Sequence, residues 1–242
     1  MRRETQNILL VLLGGALLKI SFTGAYLRYV KASHQWLLIT AGVVMILLAA
    51  VSIVRELRGE RDLDEHGHAH SARSAWLLLL PVLAVFLVAP PALGADSVER
   101  AAGNRPAPPP EVASTEGDGS ALFPALPAGD PIALPLSDFS ARAAWDRAHS
   151  LDARTAALTG FVVQDGDDTY VARLAISCCA ADAFPVKIKL TGRELSNLPD
   201  DGWVEVVAKL RPGTATRANE YVPAVTVHSV RSVPEPADPY EH

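Results

Sequence analysis

Two adjacent cysteines, Cys178 and Cys179, followed by Ala180-Ala181-Asp182, bring two thiols and a carboxylate within five positions. Thiolates bind soft and borderline metal ions, and a carboxylate three residues on adds an oxygen donor, so this run can form a small site for zinc or another divalent metal. His228, from the last predicted strand, is the imidazole candidate to complete it. The two thiols are not expected to bond to each other, because consecutive Cα atoms stand only about 3.8 Å apart, below the usual disulfide separation. In a regular strand, neighbouring side chains point to opposite faces. Both thiols therefore share a site only where a bulge or a strand end turns them the same way. The competing reading is one buried, inert cysteine and one capping residue.

A second set of donors lies at His66, His68 and His70, beside Asp62, Asp64 and Glu65. Three imidazoles on a polar strip can hold a divalent ion loosely, or the strip can be a solvated connector. Lys19 falls inside the first apolar run. Charge in hydrocarbon is costly, so an ionisable residue there is a functional candidate; the alternatives are snorkelling to the headgroups and pairing with a partner subunit. No nucleophile elbow, phosphate-binding loop, dinucleotide fingerprint or helical metalloprotease pair occurs. A thiol oxidoreductase would be expected to carry a spaced Cys-x-x-Cys, which is absent. The chain is therefore expected not to be an enzyme.

These residues must be positioned by two different kinds of structure. Apolar runs at 8–27, 36–54 and 75–95 each approach the ~20 residues needed to cross a bilayer, and lipid forces such runs to be helical. Trp36 and Trp76 sit at span starts, where indoles favour the interface. With the N-terminus inside, Arg2, Arg3, Arg55, Arg58, Arg61 and Arg73 are cytoplasmic, against Arg28 and Lys31 outside. This satisfies the positive-inside rule. The expectation is a multi-pass protein of the cell membrane, in contact with the lipid bilayer, with its C-terminal domain extracytoplasmic. The transmembrane region is 1–96, with the His-rich loop at 55–74 between the second and third spans.

Residues 97–135 are rich in Pro, Ala and Gly and lack periodicity, which predicts a disordered linker that stands the outer domain off the bilayer. A short helix is expected over 136–145, capped by Ser137 or Asp138. Strands are expected at 155–164, 169–178, 184–190, 203–210 and 221–230, with a hairpin turn at Asp165-Gly166-Asp167-Asp168. In the second strand Tyr170, Ala172, Leu174 and Ile176 share a face. Five short strands with a break after the third fit a small, OB-like Greek-key barrel over 136–233, followed by a Pro-rich tail at 234–242. From Leu136 onward the chain has eleven Lys/Arg against fifteen Asp/Glu. That balance lacks the clustered positive charge a nucleic-acid partner requires.

The run Ile176-Ser-Cys-Cys-Ala-Ala-Asp182 closely resembles a bacterial family of uncharacterised membrane proteins described as permease subunits. The other matching pieces are Tyr29-Val30 before the second span, the His-rich loop, Gly160-Phe161-Val162, Trp203-Val204-Glu205-Val206 and the tail from Val233 to Tyr240. In that family a domain of unknown function accompanies a larger permease, the two forming a two-component permease. The resemblance implies a membrane location, a larger membrane permease subunit as partner and, more weakly, metal-ion homeostasis. The leading expectation is thus an accessory permease subunit in metal-ion homeostasis or transport; the alternative is a membrane-tethered extracytoplasmic metal- or thiol-binding module without a transport role.

Overall fold

The computed structural model describes residues 3–58, 91–101, 123–192, 195 and 198–242. The chain divides into two compact units, Met1–Ala92 and Leu93–His242. His66, His68, His70, most of the His-rich loop, most of the third predicted span and the middle of the predicted linker lie outside the described residues.

The first unit contains two long helices, α1 (Arg3–Thr23) and α2 (Gln35–Leu57), joined through two short 3-10 turns. Both are long and apolar enough to cross a membrane. At 1.5 Å rise per residue they cover roughly 31–35 Å, matching ~30 Å of hydrocarbon. Gly24, at φ 79°, follows the end of α1. The helices pack through their smallest residues. A Cβ on Gly42 would lie 3.0 Å from the Gly14 carbonyl oxygen, and one on Gly14 would lie 2.9 Å from Ile46 Cγ1. Gln35 Nε2 donates to the Ser21 carbonyl at 3.0 Å. Because 14 meets 42 and 21 meets 35, the pair runs antiparallel. Small residues at a crossing let apolar helices approach closely, the usual contact where lipid replaces water. Val44, Leu47, Leu48 and Val51 remain more than half exposed on α2. A face that apolar favours a hydrocarbon surround over water.

The second unit is mostly β. Its strands are β1 (Ile132–Ala133), β2 (Thr155–Asp165), β3 (Asp168–Ala175), β4 (Phe184–Thr191), β5 (Trp203–Leu210), β6 (Ala224–Ser232) and β7 (Tyr240–Glu241). They form one sheet in the order β1-β2-β5-β6-β4-β3-β7, and β2 also pairs with β3. Among themselves, the five long strands each have two hydrogen-bonded neighbours; β1 and β7 add a third to β2 and β3. The β4–β6 pairing is parallel, whereas β2–β3, β3–β4, β2–β5 and β5–β6 are antiparallel. Phe161 pairs with Trp203 of β5 and with Ala172 of β3, so β2 changes partner there. Gly160 allows it: a Cβ would overlap the Ala172 carbonyl and sit 2.8 Å from Val171 Cγ2.

One face carries the core cluster, including Leu158, Val162, Val171, Ile188, Val204, Val206 and Val225, with Ile132, Leu136 and Phe139 packed on it. Each fully buried aliphatic side chain contributes roughly 1.5–3 kcal/mol. The β3 residue in this cluster is Val171; Tyr170, Ala172, Leu174 and Ile176, expected to share a face, are not in it. Ala172 and Leu174 are nonetheless buried, with Phe161 and Val163, outside that cluster. A short helix, α3 (Ala95–Arg100), packs against β2, β3 and β4, with Ala95 and Val98 buried. The alternation rule assumes one wet face; here α3 supplies a second apolar layer.

The predicted linker is corrected at both ends. Residues 97–100 belong to α3, whose entry is fixed by the Ala95 N–H donating to Asp201 Oδ1 at 2.6 Å. Residues 123–135 are tied down as well. Buried Arg142 donates to the Pro124 carbonyl at 2.8 Å, and Ile132–Ala133 pair with β2. The Pro-rich tail is likewise a structural element. β7 runs parallel to β3, and Arg173 donates to the carbonyls of Asp238 at 2.8 Å and Tyr240 at 3.1 Å.

The last helix, α4 (Leu136–Trp145), is capped from the tail. The Leu136 and Ser137 N–H groups donate to Glu241 Oε1 at 2.7 Å and Oε2 at 2.8 Å. Ser137 and Asp138 are inside the helix rather than its cap, and Pro135 holds the cap position. A buried carboxylate on two orphan N–H groups also opposes the positive end of the helix dipole. Glu241→Ala is expected to lower the stability of this unit by about 1–2 kcal/mol, and Glu241→Gln by less. A denaturant titration followed through Trp145 and Trp203 measures the loss; an unchanged midpoint would remove Glu241 as the cap.

Candidate metal centre

β3 stops at Ala175, three residues short of the predicted strand end, because its next N–H groups are taken by other acceptors. The Ile176 N–H donates to the Glu241 carbonyl at 2.9 Å. The Ser177 N–H donates to Asp182 Oδ1 at 3.0 Å, and the Cys178 N–H to Asp182 Oδ2 at 2.8 Å. A short polar side chain competes well with a β-ladder when it can reach consecutive N–H groups. Asp182 reaches them because Ala180–Asp182 form a 3-10 turn, closed by the Asp182 N–H on the Cys179 carbonyl at 3.0 Å. Cys179 is extended, at φ −154° and ψ 168°, and precedes the turn. The strand end expected from the sequence is thus present, and it brings the thiols together.

The two sulfurs are 3.6 Å apart. Both cysteines are free, Cys178 exposed and Cys179 half-buried. With one carboxylate oxygen of Asp182, the ligand atoms all lie within 4.8 Å of one another. Bonding to the Asp182 carboxylate, and then to the Cys179 sulfur, holds the Cys178 thiol protonated, its pKa pushed up to about 12. The same thiol, helped by the backbone N–H groups of Cys178, Ser177 and Cys179, keeps Asp182 below the usual carboxylate range. A thiol so held is a poor nucleophile near neutral pH, since the thiolate is the reactive form.

His228 is not brought to this cluster. The parallel pairing sets Lys189 against Ala224 and Thr191 against Thr226, so His228 lies beyond the C-terminal end of β4. The cysteines precede its N-terminal end at Phe184. His228 also falls at the bulge between Val207 and Ala208 in the β5–β6 register, and it is exposed. Lys19 is exposed in α1, one turn before its end at Thr23. That placement suits a side chain reaching toward headgroups. His149 is a surface residue beside Asp152. Reasoning from the sequence missed the part played by Ser177, whose contribution is a backbone N–H and leaves no side-chain signal.

Asp182→Asn removes the negative charge that retains the Cys178 proton. In a Cys179→Ser background, alkylation of Cys178 at neutral pH should accelerate roughly tenfold or more, its pH midpoint falling toward that of an ordinary thiol near 8.5. Equal rate–pH profiles with and without the charge would show that Asp182 does not hold the thiol.

No curated protein and no solved structure matches the chain. Two models of one family do: the DUF1980 N-terminal domain over residues 5–103 and the DUF1980 C-terminal domain over residues 146–242. The first takes in both apolar helices and the second β2 to β7 with the Cys-Cys-Ala-Ala-Asp turn. With both of its domains matched in order over most of its length, the chain belongs to the uncharacterised DUF1980 family.

Proposed function

We propose that this is a membrane-anchored accessory protein whose β unit offers Cys178, Cys179 and Asp182 to a soft or borderline divalent metal ion, zinc foremost. In this reading the spans pass through the cell membrane an odd number of times, the β unit lies outside the cytoplasm, and a larger permease subunit receives or supplies the ion. The β unit is read as an OB-like barrel. Five long strands that each pair with two others of the five, with one parallel pair between the third and fifth, are the pairings such a barrel requires.

The sulfur–sulfur distance carries the metal assignment. Two thiolates on one tetrahedral zinc, each about 2.3 Å from it, stand about 3.8 Å apart. The sulfurs are 3.6 Å apart, close to that separation. Little reorganisation is then needed beyond loss of the thiol protons. Asp182 keeps lone pairs on both oxygens after accepting its N–H bonds, and ligating carboxylates are normally hydrogen-bonded in this way. The permease partner rests on the resemblance of the sequence to permease subunits and on the apolar helix faces that such a partner would share with lipid.

One observation favours the alternative of a tethered metal-binding module with no transport role. All three donors come from a single loop of the second unit, so binding requires nothing from the helices. Transport measured in cells separates the two readings, because only the accessory-subunit reading makes flux depend on the cysteines.

The metal site is tested on the full chain in lipid nanodiscs, with His66→Ala, His68→Ala and His70→Ala to remove the histidine strip. Elemental analysis should find about one zinc per chain, falling to roughly the one-tenth background of adventitious ligands in Cys178→Ala/Cys179→Ala. Affinity should rise with pH, since at least the Cys178 proton leaves as the ion enters. Equal zinc content in the two proteins would end the metal assignment.

A further inference from the structure

We propose that the Cys178–Cys179–Asp182 site is an exchange site: three protein donors occupy three corners of a tetrahedral cation, and the fourth corner stays open to a nitrogen or sulfur donor from outside the chain. This rests on the metal reading above and adds to it the coordination number, the class of ion and the route by which the ion leaves.

The class of ion follows from distance and donor type. At the same bond length of about 2.3 Å, two thiolates on opposite sides of a linear two-coordinate ion would stand about 4.6 Å apart. The observed 3.6 Å is a whole ångström shorter and fits a tetrahedral angle. A hard cation such as calcium or magnesium takes six or more oxygens, and one carboxylate cannot meet that demand. Two sulfurs and an oxygen suit zinc, cadmium or cobalt(II).

The open corner follows from the donor count and the exposure. Among the described residues, no fourth Cys, His, Asp or Glu joins the cluster. His228, the expected fourth donor, lies at the other end of β4. Cys178 and Asp182 are exposed, so the unfilled side of the ion meets solvent. Structural zinc sites close four protein ligands around the ion; sites that act on something else keep one position free.

Release without unfolding follows from the hydrogen bonds. A structural zinc domain commonly unfolds when the metal is removed. Here the loop has hydrogen bonds of its own, from the Ser177 and Cys178 N–H groups to Asp182 and from the Asp182 N–H to the Cys179 carbonyl. β3 and β4 on either side are fixed by their own ladder. An ion can therefore leave to an incoming donor while the loop keeps its shape.

The experiment uses the full chain in nanodiscs, in the triple-histidine variant named above, loaded with cobalt(II) as the optical probe. The expected spectrum has the intense ligand-field bands of a tetrahedral ion and sulfur-to-cobalt charge transfer. Free imidazole should shift those bands saturably with one equivalent bound, and should speed transfer of zinc from the zinc-loaded protein to a chelator at least tenfold. A tetrahedral spectrum indifferent to imidazole, with zinc release no faster in its presence, would mean a closed site and overturn the proposal while leaving the metal reading intact. Failure of the protein to bind either ion would overturn both.

Discussion

A carboxylate that accepts hydrogen bonds from two consecutive backbone N–H groups leaves the chain between them and itself little freedom. Asp182 does this to Ser177 and Cys178. The loop is then too short for Cys178 and Cys179 to take the alternating directions of a strand, and their sulfurs come within 3.6 Å. The same carboxylate supplies the third donor and the charge that keeps the Cys178 proton in place. Strand termination, thiol juxtaposition and protonation state all trace to one side chain. Ala180 and Ala181, between the second thiol and the carboxylate, contribute no competing polar group and little bulk.

The loop is only as well defined as the strand that feeds it, and β3 is held from three sides. It pairs with β2, β4 and β7. Arg173 fastens the third of these, donating to the Asp238 and Tyr240 carbonyls while its guanidinium stands 5.3 Å over the Trp203 ring. Burial lowers its pKa against the opposing pull of Glu241 and Asp238. Glu241, the last residue of β7, caps α4, and its carbonyl takes the Ile176 N–H immediately before the Cys178–Cys179 loop. At the other end of the unit, the Leu93 N–H donates to the Tyr240 hydroxyl at 3.2 Å. The end of the third predicted span and what looks like a loose tail in the sequence therefore converge on one another.

What the sequence revealed, and what it hid, divides along the range of the interactions. The strand at 203–210 and the start of β4 at Phe184 are legible to the residue, because alternation of large apolar and polar side chains is a local property. The five long strands and their break are legible for the same reason. β1 and β7 are two residues each, sit among prolines, and exist only through pairing with distant strands. The cap of α4 was sought in nearby oxygens, whereas its acceptor lies 105 residues away. The thiol–carboxylate part of the site was readable from Cys178, Cys179 and Asp182, all within one loop. The place of His228 is not legible, because the parallel β4–β6 pairing, which sends it to the far end, is a matter of topology and has no local signature.

The helical unit reverses these proportions. Its two apolar helices are plain from composition, yet the contact that joins them, Gly14 against Gly42, comes from residues that look featureless in an apolar run. Both units thus depend on small residues where groups must approach closely: glycines between helices, alanines beside the thiols. X-ray absorption at the zinc edge of the zinc-loaded full chain tests most directly whether the two thiols hold the ion. The expected first shell is two sulfurs at about 2.3 Å with nitrogen or oxygen at about 2.0–2.2 Å. A shell made only of nitrogen and oxygen would contradict it, because the ion would then lie away from Cys178 and Cys179.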